Sequence, residues 1–124
     1  MSVANTALLY NLGLTQFPVY DDLASLVVTV QAGATSLIGE ACRVTTAIAN
    51  GAFTLKSLLT LDGPPLVFVV NDSAQTIKVF PFIGESLNGS TNLALSIPTG
   101  QSGIFISVPN ARGGTQDWRA AVIP

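Results

Sequence analysis

The sequence predicts an all-β fold, an antiparallel β-sandwich or jelly-roll-like domain of about eight short strands with an N-terminal arm. Short apolar segments rich in β-branched residues recur along the chain, and clusters of Gly, Pro, Asn, Asp and Ser separate them. Where a pattern is visible, it has the period of two that is typical of strands. The connections are short, which favours antiparallel neighbours because a parallel neighbour requires a longer crossover.

Residues 1–24 are interpreted as an arm or extension, and residues 25–124 as the β-domain. Apolar side chains give the first segment bulk, but Gly13 and Pro18 interrupt any long helix. Such a segment is typical of an arm that lies on a neighbouring subunit. A first strand and loop of the same domain is an equally open interpretation.

Three strands are predicted in the first half of the β-domain. Residues 25–31 are rich in β-branched side chains, and residues 41–49 alternate with a period of two. Asn50-Gly51 then predicts a hairpin, because a type I′ turn needs residues that tolerate positive φ at both central positions. The returning strand covers residues 52–61 and stops at a Gly-Pro-Pro sequence.

A second hairpin is predicted at the centre of the chain, where residues 66–70 and 77–80 flank a polar turn. The turn begins at Asn71, and its residue types readily form hydrogen bonds with their own backbone. Pro81 ends the second strand, because proline cannot donate a ladder hydrogen bond. Further strands are predicted at residues 92–97, 103–108 and 118–123.

The composition of the 124-residue chain favours a single domain that is permanently assembled with other chains. Apolar residues make up 48% of the sequence, but charged residues only 10%, against roughly 25% in an ordinary soluble domain. So few charges do not cover the surface of a solitary monomer at the usual density. We therefore expect a homotrimer or homodimer that buries much of its surface.

The charge and hydropathy patterns exclude several classes of partner. The five basic residues are spread singly, whereas nucleic-acid binding needs clustered cations. The apolar segments are much shorter than the about 20 residues of a membrane-spanning helix. The first basic residue is Arg43, so no secretory signal peptide is expected. We therefore expect neither a nucleic-acid nor a membrane partner.

No catalytic or metal-binding pattern is present in the sequence. The chain has no histidine, which removes the commonest general base and metal ligand. Its single cysteine, Cys42, cannot form an intrachain disulfide and is interpreted as a small buried apolar residue. Most carboxylates fall at predicted turns, where they bond local backbone. The sequence predicts a protein that is not an enzyme and has no catalytic residues, cofactor or metal.

The candidate functional residues are large apolar side chains that would form an interface. If one face of a strand lies on the core, the other face needs a covering, which a subunit contact supplies. These residues come from the arm, from the end of the second central strand and from the closing strand. They are Leu8, Leu9, Tyr10, Phe17, Tyr20, Phe80, Phe82 and Trp118.

Part of the sequence resembles small virion proteins of tailed bacteriophages. The resemblance covers residues 68–81, the Gly84-Glu85-Ser86-Leu87-Asn88-Gly89 loop, residues 95–97, Gly100 and Trp118. Its pattern is a strand that ends in Val-Asn, a small polar turn, a strand that ends in proline, a Gly-Glu-x-Leu-Asn-Gly loop and a late tryptophan. Less than half of the chain is included.

This resemblance implies a structural part of a virion. The protein would be made in the host cytoplasm and located on the outer capsid surface, as a decoration (cement) protein that binds and stabilises major capsid subunits. Such proteins are commonly trimers or dimers seated between capsomers. A tail or fibre component with surface-binding loops is the first alternative. A carbohydrate-binding β-sandwich is the second.

Overall fold

The structure, a computed structural model, describes residues 19–37, 40–57, 66–108 and 117–124. These residues form eleven β-strands and contain no helix, so the all-β prediction is confirmed. The strands are β1 (Val19–Ser25), β2 (Thr35–Ser36), β3 (Ala41–Ala47), β4 (Gly51–Thr54), β5 (Leu66–Asn71), β6 (Ile77–Phe80), β7 (Ser86–Leu87), β8 (Ser90–Thr91), β9 (Leu95–Ile97), β10 (Ser102–Val108) and β11 (Asp117–Ile123).

The described strands form a large sheet in the order β1-β3-β5-β10-β11-β7-β8 and a small sheet in the order β2-β4-β6-β9. From β1 to β6 the chain alternates between the sheets, so that each odd strand enters the large sheet and each even strand the small one. Strands β1, β3 and β5 pair in parallel, and so do β2, β4 and β6. Successive strand-turn-strand units therefore stack in parallel, as coils do in a solenoid.

The chain then reverses its direction. Strands β7 and β8 form an antiparallel pair at the far edge of the large sheet. Next, β9 runs antiparallel to β6 in the small sheet, and β10 runs antiparallel to β5 in the large sheet. Strand β11 completes an antiparallel pair with β10. Both sheets are consequently mixed.

The prediction of purely antiparallel pairing is wrong, and so are the two predicted hairpins. Strands β3 and β4 flank the Asn50-Gly51 turn but lie in different sheets, and the same is true of β5 and β6. Asn50 does adopt a positive φ of 58°, and its N–H donates to Thr76 O over 2.8 Å. The Asn50-Gly51 sequence therefore forms a corner between the two sheets instead of a hairpin. The backbone of this corner hydrogen-bonds to the corresponding corner of the next coil, between β5 and β6.

The strand predicted at residues 25–31 is also wrong beyond its first residue. Strand β1 ends at Ser25, and Leu26 and Val27 are exposed. The Val28 carbonyl accepts a hydrogen bond of 2.9 Å from Ala52 N–H, outside any ladder. The strand predicted at residues 52–61 ends at Thr54, and its residues 58–61 lie outside the described part of the chain. The β-branched composition of residues 26–31 was therefore not sufficient to specify a strand.

One hydrophobic core combines buried side chains of both sheets. The large sheet contributes Val44, Val69, Phe105 and Trp118, and the small sheet contributes Phe53, Ile77, Val79 and Ile97, all with no exposed surface. Burying each such side chain stabilises the fold by roughly 1.5–3 kcal/mol. A Cβ at Gly103 would lie 2.6 Å from Ile97 Cδ1, so this glycine allows β9 to pack closely on β10.

A buried amide ties the end of β5 to the small sheet. Asn71 Nδ2 donates to Gln75 O and to Ile97 O, both over 2.8 Å. Its Oδ1 accepts from Ser73 N over 3.0 Å and from Ser73 Oγ over 2.6 Å. All four bonding positions of the side chain are therefore satisfied. The prediction that this turn bonds its own backbone is confirmed.

Residues 1–18, most of the predicted arm, lie outside the described part of the chain. Residues 19–24, which the sequence analysis also assigned to the arm, form most of β1. This strand pairs in parallel with β3, and Tyr20 and Leu23 pack against the core.

Candidate interaction surface

The side chains of β5, β10 and β11 that point away from the core form an apolar surface on the large sheet. Along β5, Val67 and Val69 are buried, whereas the alternate residues are only half-buried. In register, Phe68 lies opposite Ile104, which in turn lies opposite Ala121. We call this surface the apolar face and define it by Leu66, Phe68, Val70, Ile104, Ile106 and Ile123.

The apolar face remains partly open to solvent. Ile106 and Ile123 are each 45% exposed, and the other members are half-buried because they pack side by side. A sheet with one face on the core and one in water normally alternates apolar and polar residues. Strands β5 and β10 instead carry apolar side chains on both faces. This pattern is typical of strands that are covered on both sides.

The outer face of the small sheet is different and provides an internal comparison. Its outward side chains are mainly polar, with Lys78 opposite Ser96 and Ser36 opposite Thr54. Phe80 lies at the end of this face and is half-buried. The apolar character is therefore specific to the large sheet and is not a consequence of the composition alone.

Ion pairs border the apolar face on two sides. Arg43 lies on β3 opposite Val70, with Nη1 2.9 Å from Asp21 Oδ1 and Nε 2.6 Å from Asp72 Oδ2. On β11, Arg119 lies opposite Ile106, and its Nε is 2.8 Å from Asp117 Oδ2. An apolar centre with a charged border is the usual anatomy of a protein–protein interface.

The pKa of Asp21 reports on the ion pair between Arg43 and Asp21 at the border of the apolar face. The hydrogen bond from the Arg43 guanidinium, followed by that from the Asp22 N–H, holds the pKa of Asp21 below its usual range. Because the folded-state pKa is depressed, the pair stabilises the fold above the unfolded-state pKa. This stabilisation is lost as the pH falls through the folded-state pKa. The carboxylate is exposed, so the effect on stability is small.

We expect the Arg43→Gln variant to return the pKa of Asp21 toward its ordinary value, because the largest cause of the depression is removed. Carboxyl-carbon NMR titration of both proteins measures this shift. The matched control is Arg119→Gln, which removes the other bordering cation and should leave the Asp21 titration unchanged. An unaltered titration in Arg43→Gln would show that this ion pair does not form in solution.

A second apolar surface lies on three loops, which follow β1, β6 and β8 and are held together by side-chain hydrogen bonds. Gln31 Nε2 donates to Pro81 O over 2.8 Å and to Asn92 Oδ1 over 3.1 Å. The neighbours of these three residues in the chain include exposed apolar side chains, of which Phe82 is 48% exposed. We call this surface the loop patch and define it by Val30, Phe82, Ile83 and Leu93.

The residues that the sequence predicted for an interface are placed in different environments. Leu8, Leu9, Tyr10 and Phe17 lie outside the described residues. Tyr20 and Phe80 are half-buried, and Phe82 belongs to the loop patch.

Trp118 is fully buried and therefore offers no surface to a partner in this structure. Its indole N–H has no hydrogen-bond partner among the described residues.

Sequence reasoning missed the apolar face itself. The signal was present in two segments, Leu66 to Val70 and Ile104 to Ile106, where apolar side chains are consecutive rather than alternating. These segments were interpreted only as strands. A strand that is apolar on both faces predicts a covering on each of them.

Neither a metal centre nor a membrane-crossing helix is found in the described ranges. No group of three or more Cys, Asp or Glu residues there is arranged to hold a metal ion. No helix in that part of the chain has the length and hydropathy needed to cross a bilayer. The two apolar surfaces are thus the features on which an interpretation of function can be based.

Comparison with known proteins does not assign a family. No family model matches the sequence, and neither a curated protein nor a solved structure matches the chain. The resemblance to small phage virion proteins stays a prediction. Function is therefore inferred from the apolar face and the loop patch.

Proposed function

We propose that this chain is a non-enzymatic structural protein of a virion, a capsid decoration (cement) protein that binds and stabilises major capsid subunits on the outer capsid surface. One observation carries the proposal: the outward side chains of β5 and β10 in the large sheet are mainly apolar, whereas those of the small sheet are mainly polar. Contiguous exposed apolar surface marks a site of protein association. The low charge content supports the same conclusion.

The two apolar surfaces suit two different contacts of a decoration protein. The apolar face, broad and bordered by ion pairs, is assigned to contact between copies in a homodimer or homotrimer. The loop patch is assigned to the capsid subunits, because loops at the end of a rigid sheet are suited to binding. Several weak contacts made at once give strong attachment. In this proposal the two sheets are the layers of a jelly-roll-like sandwich with a shared core.

A tail or fibre component with surface-binding loops is the second candidate function. The specific observation in its favour is the exposure of Phe82 and Ile83 at the loop patch. A carbohydrate-binding site has less support, because Tyr20 and Phe80 are half-buried and Trp118 is fully buried.

Co-sedimentation tests the proposed function. Capsids are assembled from the major capsid protein of the genome that encodes this chain, without decoration, and mixed with the purified protein. We expect the native chain to sediment with the capsids, and a Phe82→Ser/Ile83→Ser variant to bind at least tenfold more weakly. Binding to isolated tails and not to capsids would favour the second candidate. A native chain that binds neither would contradict both.

A further inference from the structure

We propose that residues 1–18 of a second copy occupy the apolar face, so that copies exchange their N-terminal segments. This inference depends on the proposed structural function, and it names the partner of the apolar face. Three observations support it: the composition of residues 1–18, the place where the described chain begins, and the character of β1.

The composition of residues 1–18 complements the apolar face. This segment contains no charged side chain. When it covers the apolar face, none of its side chains therefore has a charge that would be removed from water. In an extended conformation, Leu8, Tyr10, Leu12 and Leu14 would share one side, because alternate residues of a strand point the same way. This side would present four large apolar side chains to the apolar face, while Leu9, Asn11 and Gly13 would lie on the other side.

Val19, the first described residue, is level with the centre of the apolar face when the paired residues are followed from strand to strand. Val19 lies opposite Ala41, Ala41 lies opposite Phe68, and Phe68 lies opposite Ile104. Strand β10 is three strand positions from β1, or about 14 Å at the usual spacing. Eighteen extended residues reach about 60 Å, which is enough to cross to a neighbouring copy.

Charged side chains separate β1 from the apolar face of the same copy. Arg43 on β3, which lies between β1 and β5, forms ion pairs with Asp21 and Asp72. A segment that returned across β3 to its own apolar face would cover these charges, which carries a desolvation cost. We therefore assign the segment to the face of a neighbouring copy.

The free edge of β1 is a poor alternative docking site for the segment. Its pairing with β3 is irregular between Tyr20 and Ala24, and Asp22 has a positive φ of 55°. Two adjacent carboxylates, Asp21 and Asp22, are exposed on this edge strand. Irregular pairing and charge are the features that prevent addition of a further strand. The apolar face is the better site.

Photo-crosslinking between isotopically distinct chains tests the exchange. Tyr10 is replaced by p-benzoylphenylalanine in the full chain, and equal amounts of ¹⁵N-labelled and unlabelled protein are denatured together and refolded. Trypsin then releases residues 1–43, which contain the probe, and residues 57–78 and 79–112, which contain β5 and β10. We expect crosslinks from 1–43 to these two peptides in pairs that carry both isotopes.

The matched control carries the probe at Asn11, on the opposite side of an extended segment. Its yield should be several-fold lower. If every crosslinked pair carries a single isotope and no mixed pair is found, the segment covers its own subunit and the exchange is overturned. Absence of crosslinks to β5 or β10 in a protein that is oligomeric by light scattering would also overturn it, while the proposed function stands. A monomer that does not bind capsids would contradict the proposed function itself.

Discussion

The Asn71→Ala variant is expected to lose about 3 kcal/mol of unfolding free energy, because each buried polar group left without a partner costs roughly 1–3 kcal/mol. The side chain is fully buried and donates to the carbonyls of Gln75 and Ile97. Alanine removes this donor from Ile97 O and the acceptor from Ser73 N–H, whereas Gln75 O keeps the Ser73 hydroxyl as a donor. The link between β5 and β9 is lost. Domains are typically stable by only about 5–15 kcal/mol, so this one change removes a large part of the total.

Urea unfolding followed by fluorescence measures this loss, since the single tryptophan, Trp118, is fully buried and reports the core. Ser73→Ala is the matched control. It removes one hydroxyl, which donates to Asn71 Oδ1 and accepts from the N–H of the exposed Gln75, and leaves the Asn71 amide in place, so about 1 kcal/mol is expected. Equal losses in the two variants would mean that the Asn71 side chain does not bridge the sheets.

The Ile106→Glu variant is expected to weaken self-association at least a hundredfold. In the isolated chain Ile106 is 45% exposed, and a glutamate there would lie in water opposite Arg119, so folding is little affected. In the assembly the same carboxylate would be taken out of water. A desolvation cost of several kcal/mol exceeds the about 2.7 kcal/mol that corresponds to a hundredfold change in affinity.

Sedimentation over a range of concentrations measures the affinity of Ile106→Glu and of its control. The control is Ser96→Glu, which introduces the same charge at an exposed position on the outer face of the small sheet. It should associate as the native chain does. Equal association in Ile106→Glu and the native protein would remove the apolar face from the interface, and equal weakening in both variants would indicate a general effect of charge.

Local structure was predictable from the sequence wherever side-chain alternation and turn chemistry agreed. Strands β3 and β6 lie where the period-two segments predicted them, because one face of each is buried. The turn after Asn71 bonds its own backbone as its residue types require. These features depend on neighbours in the sequence, so no long-range information was needed.

Pairing between strands was not predictable in the same way. Asn50-Gly51 has the residues of a type I′ hairpin turn, which requires positive φ at both positions, but only Asn50 adopts a positive φ at this corner. The parallel pairing of β3 with β5 joins Cys42 to Val69, which are far apart in the chain. Local residue preferences do not distinguish a strand that folds back from one that crosses to the other sheet.

An interface was predicted from the sequence, but the apolar face was not located. The shortage of charges predicted an interface, and two leucines and six aromatic residues were predicted to form it. Trp118 is buried, because a core and an interface both favour side chains with a large apolar area. Ile104 and Ile106 became recognisable as surface residues only when their register with β5 was known.

Light scattering on the native chain is the most direct test of the claim that the apolar face is buried in an assembly. We predict a mass of two or three times the 12.8 kDa of the single chain, which persists on dilution. A mass of 12.8 kDa at every concentration would contradict the claim.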